Sequence, residues 1–285
     1  METATAKAAP LDVNARWAIL LAYLAAVVVA ESLIAIPGNV SATDRPFQSI
    51  GLGIHILLVF TLMFASVMIE SRDAAMGPLL VATSLASLVR VFSLAVPRYE
   101  FVSRPPTNVL NTIPWLALVS VPLLLSVVAV AYVQKLRPRD LGLVFARWQE
   151  FPIQALIAIT GIPLGLLEFE ILSPEPWIAN LAPSSLLVGA FVIFLATGLS
   201  EELIFRGILL KRAVGSLGEG YGLLYVTAIF ASLHIFFLQA ADLGFVFLVG
   251  LFYGYAVLKT KNLWGVILSH SLGNVVLYLV APHVL

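Results

Sequence analysis

Three short stretches in the C-terminal half of the chain carry side chains of the types that do acid–base chemistry. "LSEELIFRGILLKR" (199–212) places Glu201, Glu202 and Arg206 at the end of a mostly apolar run, and "FASLH" (230–234) and "HSLGN" (270–274) place His234, His270 and Asn274 in later apolar runs. Such groups are costly to bury, so inside a membrane bundle they read as functional, with a partner to be named. Glu202 and Arg206 stand at i and i+4 with the acid on the N-terminal side, the favourable order for an ion pair along one helix. Glu201 points about 100° away from Glu202 and has Phe205, not a base, one turn on. Its partner must come from another element, a substrate or a water. Glu201 with His234 can orient and deprotonate a water, and His270 and Asn274, one turn apart on one helix face, can donate hydrogen bonds to a developing negative charge. Arg206, by neutralising Glu202, would hold the helix and keep the surroundings of Glu201 fixed.

The elements that must position these groups follow from composition. The chain is 60% hydrophobic and only 11% charged, with a mean hydropathy of +1.00. Soluble domains carry about 25% charged residues, so this is a membrane protein. The 16 basic and 16 acidic residues cancel, which leaves no basic surface for nucleic acid. The absence of cysteine excludes disulfides, thiolate metal sites and a cysteine nucleophile. The first apolar run is longer than a signal-peptide core, lacks a small-x-small cleavage site, and reads as a retained span.

Crossing about 30 Å of hydrocarbon takes roughly 20 apolar residues. Runs of that kind lie near 17–36, 50–69, 76–96, 110–133, 152–172, 184–204, 222–240, 243–258 and 264–281. The expectation is an all-α polytopic bundle of nine helices, or eight if 222–258 forms one span. Continuous apolar runs exclude the dyad alternation of a transmembrane barrel. With the N-terminus inside, the inner segments carry Lys7, Arg16, Arg72, Lys135, Arg137, Arg139, Arg147, Lys211, Arg212, Lys259 and Lys261, against Arg45, Arg98 and Arg104 outside. That bias predicts a cytoplasmic N-terminus. The basic loop "QKLRPRDLGLVFARWQE" (134–150) divides N-terminal helices without a recognised motif (1–136) from a core that carries the polar set (137–285). At 1.5 Å per residue, Glu201, His234, His270 and Asn274 all fall roughly 10–18 Å from the inner surface, which predicts one shared cavity.

The three motifs resemble a known family. "EELIFRG", "FASLH" and "HSLGN" are similar to the EExxxR, FxxxH and HxxxN motifs of the CPBP intramembrane proteases, the CAAX prenyl endopeptidases and bacteriocin-processing enzymes. "RPRDLGL" (137–143) and the spaced glycines of "GLFYGY" (250–255) look like that family too, so the resemblance covers about 137–281. It implies a glutamic-type intramembrane endopeptidase acting on a membrane-associated or lipidated peptide, with the same division of roles among the four residues. The expected location is a multi-pass membrane protein, in the plasma membrane if prokaryotic. The natural substrate and the oligomeric state are not specified by the pattern.

Other readings compete. Glu201, His234 and His270 could ligate zinc, although no HExxH is present and asparagine is a poor zinc ligand; the expectation is no cofactor. A transporter also places ionisable groups near the midplane, and a non-proteolytic immunity protein is a further alternative, but the polar set lies on the last four helices only. His55, without a polar neighbour at helical spacing, reads as a bundle histidine, and His283 as interfacial. Glu168 and Glu170 fall near the outer end of the fifth span, away from chemistry. Gly161/Gly165 and Gly250/Gly254 are small-xxx-small pairs that admit close helix approach; the second is expected to help bring the His270 helix against the Glu201 helix. Glu31 and Arg90 are isolated charges about fourteen residues into spans one and three, roughly 21 Å deep. They are expected to pair and brace the N-terminal helices without a part in catalysis, or else to snorkel separately.

Overall fold

The computed structural model describes residues 11–36, 46–96, 112–145 and 147–285; four residues of the charge comparison, Lys7, Arg45, Arg98 and Arg104, lie outside them. Among the described residues there is no strand, and nine helices are long and apolar enough to cross a membrane: α1 Val13–Ala35, α2 Pro46–Glu70, α3 Met76–Ala95, α4 Thr112–Val133, α5 Trp148–Leu172, α6 Pro183–Leu217, α7 Glu219–Phe237, α8 Ala240–Thr260 and α9 Trp264–Val284. Nine rather than eight follows from the local chemistry at 233–239. The α-helix of α7 ends at Ser232, a 3-10 turn follows at Ile235–Phe237, and Leu238 adopts a left-handed conformation before α8 starts.

Local sequence sets several other boundaries. Asp12 caps α1 by accepting from the Ala15 N–H at 2.7 Å, and Asp73 accepts from the N–H groups of Ala75 and Met76 at the start of α3. These bonds satisfy donors that a helix start leaves orphaned. Pro183 opens α6, where a missing N–H is harmless. The loop that precedes α5 docks on the α8–α9 turn through Gly142, whose φ of +73° suits glycine. Its carbonyl accepts from Leu263 N–H at 2.8 Å, and the Leu143 carbonyl accepts from Trp264 Nε1 at 2.9 Å. Asp140 in this loop accepts from Arg137 N–H and from Lys211 Nζ. Those two partners, the backbone donor first, hold its carboxyl below the usual carboxylate range.

Outer and inner faces of the bundle divide the apolar residues between them. Large side chains such as Leu57, Phe60, Phe64 and Val67 on α2 are exposed, as lipid-facing positions are. The main core, by contrast, is continuous across the basic loop: Leu20, Leu79, Leu80 and Leu85 from α1 and α3 join Ile204, Ile208, Tyr225 and Ile267 from α6, α7 and α9.

Candidate active site

Close backbone approach is what assembles the site. On α5, a Cβ at Gly161 or Gly165 would overlap the carbonyl oxygen of Ser269 or Gly273 on α9. On α6, a Cβ at Gly198 would overlap Ser271 Oγ and stand 2.8 Å from the Ile267 carbonyl oxygen. Gly198 therefore brings the Glu201 helix against the His270 helix. Gly250 and Gly254, expected to do this, instead admit Thr227 and Leu223 of α7: their faces point at the preceding helix in the chain, which the sequence pattern does not reveal. Ser269, the residue before His270, is held by Thr160 on α5 and Tyr253 on α8, with both hydroxyl contacts at 2.9 Å.

The helix bearing the two glutamates is not uniform. Glu201 and Glu202 stand in a short α turn, Ser200–Glu202, between two π-helical stretches, Phe194–Leu199 and Leu203–Leu209. Such wide turns occur frequently at functional sites. They re-aim neighbouring side chains, and the two acids part company here. Glu201 lines a cavity of about 530 Å³, within the 300–1,000 Å³ range of ligand pockets. Glu202 is fully buried and off that wall. Its Oε1 accepts from Arg206 Nη1 at 2.9 Å and from His270 Nδ1 at 2.8 Å. Arg206 is fixed in turn over the Phe230 ring, 4.3 Å from its centroid, in a cation–π arrangement. The expected Glu202–Arg206 pair is present, and it has a third member that helical spacing gave no sign of.

Glu201, His234, His270 and Asn274 all line the one cavity, as their matched depths predicted. His234 is not in the middle of a helix, however. It lies in the turn just after the α-helix ends at Ser232, where its Nδ1 meets the Phe230 carbonyl at 2.9 Å. A carbonyl only accepts, so Nδ1 carries the proton and Nε2 is left with its lone pair. By the same reasoning the Glu202 carboxylate keeps a proton on His270 Nδ1 and leaves Nε2 for the cavity. Asn274 Nδ2 donates to Thr197 Oγ1 at 3.0 Å, and the Thr197 hydroxyl donates to the Ile193 carbonyl. That orients the amide and leaves its second N–H available.

Three further groups belong to this neighbourhood. Glu168 lines the cavity rather than standing apart near the outer end of α5. Gly161 and Gly165 dock α5 on α9, and Glu168 continues that face by one turn, a signal present in the sequence. Glu31 and Arg90 do pair, Oε1 to Nε at 2.7 Å, and His55 Nε2 stands 3.2 Å from the same oxygen. That oxygen is the polar neighbour His55 lacks within its own helix. Arg90 also lines the cavity, and its Nη2 donates to the Leu233 carbonyl at 2.7 Å. It is thus more than a brace among N-terminal helices. His283, expected at an interface, places Nε2 3.1 Å from the Ile178 carbonyl, and Glu170 is exposed.

Among the described residues no three His, Cys, Asp or Glu side chains converge as the ligands of one ion would, even though Glu201, His234 and His270 share a cavity wall.

The cavity thus brings a carboxylate, two imidazoles and an amide together within a polytopic helical bundle. Residues 183–276, about a third of the chain, match the family model described as type II CAAX prenyl endopeptidase Rce1-like, in agreement with the CPBP resemblance of the motifs. The match spans Glu201, Glu202, Arg206, His234, His270 and Asn274, and on this ground the chain is a membrane-embedded peptidase and an integral, multi-pass membrane protein. No curated protein and no solved structure matches the chain.

Proposed function

We propose that the protein hydrolyses a peptide bond of a lipidated or transmembrane peptide with a water activated by Glu201 and His234 and without a metal ion. The observation that carries this reading is the division of labour between adjacent glutamates: Glu201 lines the cavity, while Glu202 is committed to Arg206 and His270. Water held between the Glu201 carboxylate and His234 Nε2 loses a proton to Glu201 as its oxygen attacks the scissile carbonyl. The tetrahedral oxyanion takes hydrogen bonds from His270 Nε2–H and from the free N–H of Asn274. His270 can donate there only as an imidazolium, and the Glu202 carboxylate beside Nδ1 compensates that charge. When the intermediate collapses, the protonated Glu201 returns its proton to the leaving amine and the C–N bond breaks.

The cavity wall includes Trp115, Trp177, Phe230, Phe236, Phe245 and Tyr253, which suits a substrate with a large apolar group. The concentration of Lys and Arg in alternate loops supports a cytoplasmic N-terminus, with the catalytic residues on the 137–285 core and the first four helices packed against it. The direct test uses purified protein in proteoliposomes with a panel of farnesylated and transmembrane peptides, read by mass spectrometry for new termini. The expected result is discrete cleavage that disappears with Glu201→Ala. A panel left intact by the wild type, or cut equally by the variant, would overturn the reading.

A further inference from the structure

His234 lies half-buried in a turn after a finished helix, with one backbone bond on its ring. The preceding carbonyl, Leu233, has been taken up by a side chain from 143 residues earlier, Arg90 Nη2 at 2.7 Å. The same guanidinium gives Nε to Glu31 at 2.7 Å and sits 5.4 Å from the Phe236 ring centroid. Arg90 therefore touches both sides of His234 in the chain, the carbonyl before it and an aromatic ring two residues after it. Glu31 of α1 is fully buried, its Oε1 accepts from Arg90 of α3, and His55 Nε2 of α2 stands 3.2 Å from the same oxygen. A planar guanidinium offers several donors in a rigid fork, and here the fork spans the N-terminal helices and the catalytic turn.

We propose that Arg90 is a positioning residue for His234: the buried His55–Glu31–Arg90 cluster holds the 233–237 turn so that His234 faces Glu201 across the cavity. This deepens the hydrolytic reading of the site and rests on it. The first four helices, which lie outside the family match, then have a stated task in the reaction beyond packing. The turn has backbone bonds of its own, from His234 N–H to the Ala231 carbonyl and from Phe237 N–H to the His234 carbonyl. The Leu233 carbonyl, at the end of a helix where intrahelical partners run out, is reached by Arg90. Without Arg90 the turn keeps its own backbone bonds but loses the side-chain bond that ties the Leu233 carbonyl to the N-terminal helices. A displacement near 1 Å at a catalytic group can lower turnover about 10²-fold.

The test compares two paired variants in the full-length protein. Glu31→Gln with Arg90→Met removes both charges together, so that neither is stranded. Arg16→Met with Asp73→Asn removes an ion pair of 2.8 Å between α1 and the α2–α3 turn that lies outside the cavity wall. With only four histidines in the chain, ring-labelled histidine gives a resolvable NMR spectrum, assigned by single His→Asn changes. The expected result is that the first double variant folds, shifts the His234 ring signals without shifting those of His270, and loses about 10–100-fold in kcat with KM little changed. The second double variant should leave both readouts at wild-type values. Arg90→Lys, which keeps the charge and a donor, should recover part of kcat. Equal effects of the two double variants on kcat, or an unmoved His234 signal in the first, would overturn the positioning role. Failure of the hydrolytic reading is told apart by His234→Asn: if that variant turns over normally, the ring has no part in the reaction, whatever Arg90 does to its signals.

Discussion

Arg206→Met tests how the buried carboxylate is compensated. The side chains of Glu202 and Arg206 are 0% and 1% exposed. With Arg206 gone, Glu202 Oε1 keeps His270, and among the described residues its Oε2 has no hydrogen-bond partner to begin with. Breaking a buried pair by removing one partner costs about 3–5 kcal/mol, and loss of the Phe230 stacking at 4.3 Å adds about 1 kcal/mol. About 5 kcal/mol is a roughly 10³–10⁴-fold change in a two-state ratio and, at about 2–4 °C per kcal/mol, a fall of about 10–20 °C in apparent Tm. The assay is thermal unfolding of detergent-purified protein beside kcat on a cleaved peptide. Glu202→Leu combined with Arg206→Met removes both charges and replaces them with apolar groups of similar size, which is often close to neutral. The double variant should therefore regain most of the lost Tm. It should not regain activity, because His270 Nδ1 then has no carboxylate; a kcat about 10–100-fold below wild type is expected, by analogy with loss of an orienting partner in metal sites. If the double variant is no more stable than the single, uncompensated charge is not the source of the defect. If it turns over at the wild-type rate, Glu202 does not position His270.

Further outcomes come from the same geometry. Gly198→Val should force α6 and α9 apart, lowering stability by about 1–3 kcal/mol and kcat with it; adding Ser271→Gly, which removes the overlapping hydroxyl, should restore part of both. Exhaustive chelation should leave kcat within about twofold of the untreated enzyme, whereas strict loss rescued by zinc would contradict the metal-free mechanism. Asp140 has a folded pKa held below its unfolded value, about 3.9 for an ordinary aspartate. Its contribution is present above that value and lost as pH falls through the lower, folded one. The apparent Tm of Asp140→Asn should therefore lie slightly below wild type at pH 6–7 and converge with it below about pH 4.

The bundle was legible because length and apolarity are local properties of a run, and crossing a bilayer demands both at once. Shared depth placed Glu201, His234, His270 and Asn274 together for the same reason. What stayed hidden depends on rotation about helix axes and on contacts between distant segments. Nothing in the periodicity of 194–209 marks the two π-helical stretches, so the directions of Glu201 and Glu202 could be taken only from an ideal helix. The i,i+4 rule found Arg206 for Glu202 but had no means of adding His270, 68 residues on. The Gly250/Gly254 pair was visible as a close-approach face, while its partner helix was not. His234 looked mid-helix because the apolar run continues past Ser232 where the helix does not. Glu31 and Arg90 were visible as a matched pair, and the Leu233 carbonyl, which carries no sequence signature, was what tied them to the site.

The central claim is that Glu201, the acid on the cavity wall, is the base. The most direct measurement is single-turnover cleavage by Glu201→Gln, a change that keeps the shape of the side chain and removes its ability to take a proton. A positioned general base contributes about 10²–10⁴-fold. The account predicts a loss of that size with an unchanged melting temperature and unchanged substrate binding, and a cleavage rate within about threefold of wild type would contradict it.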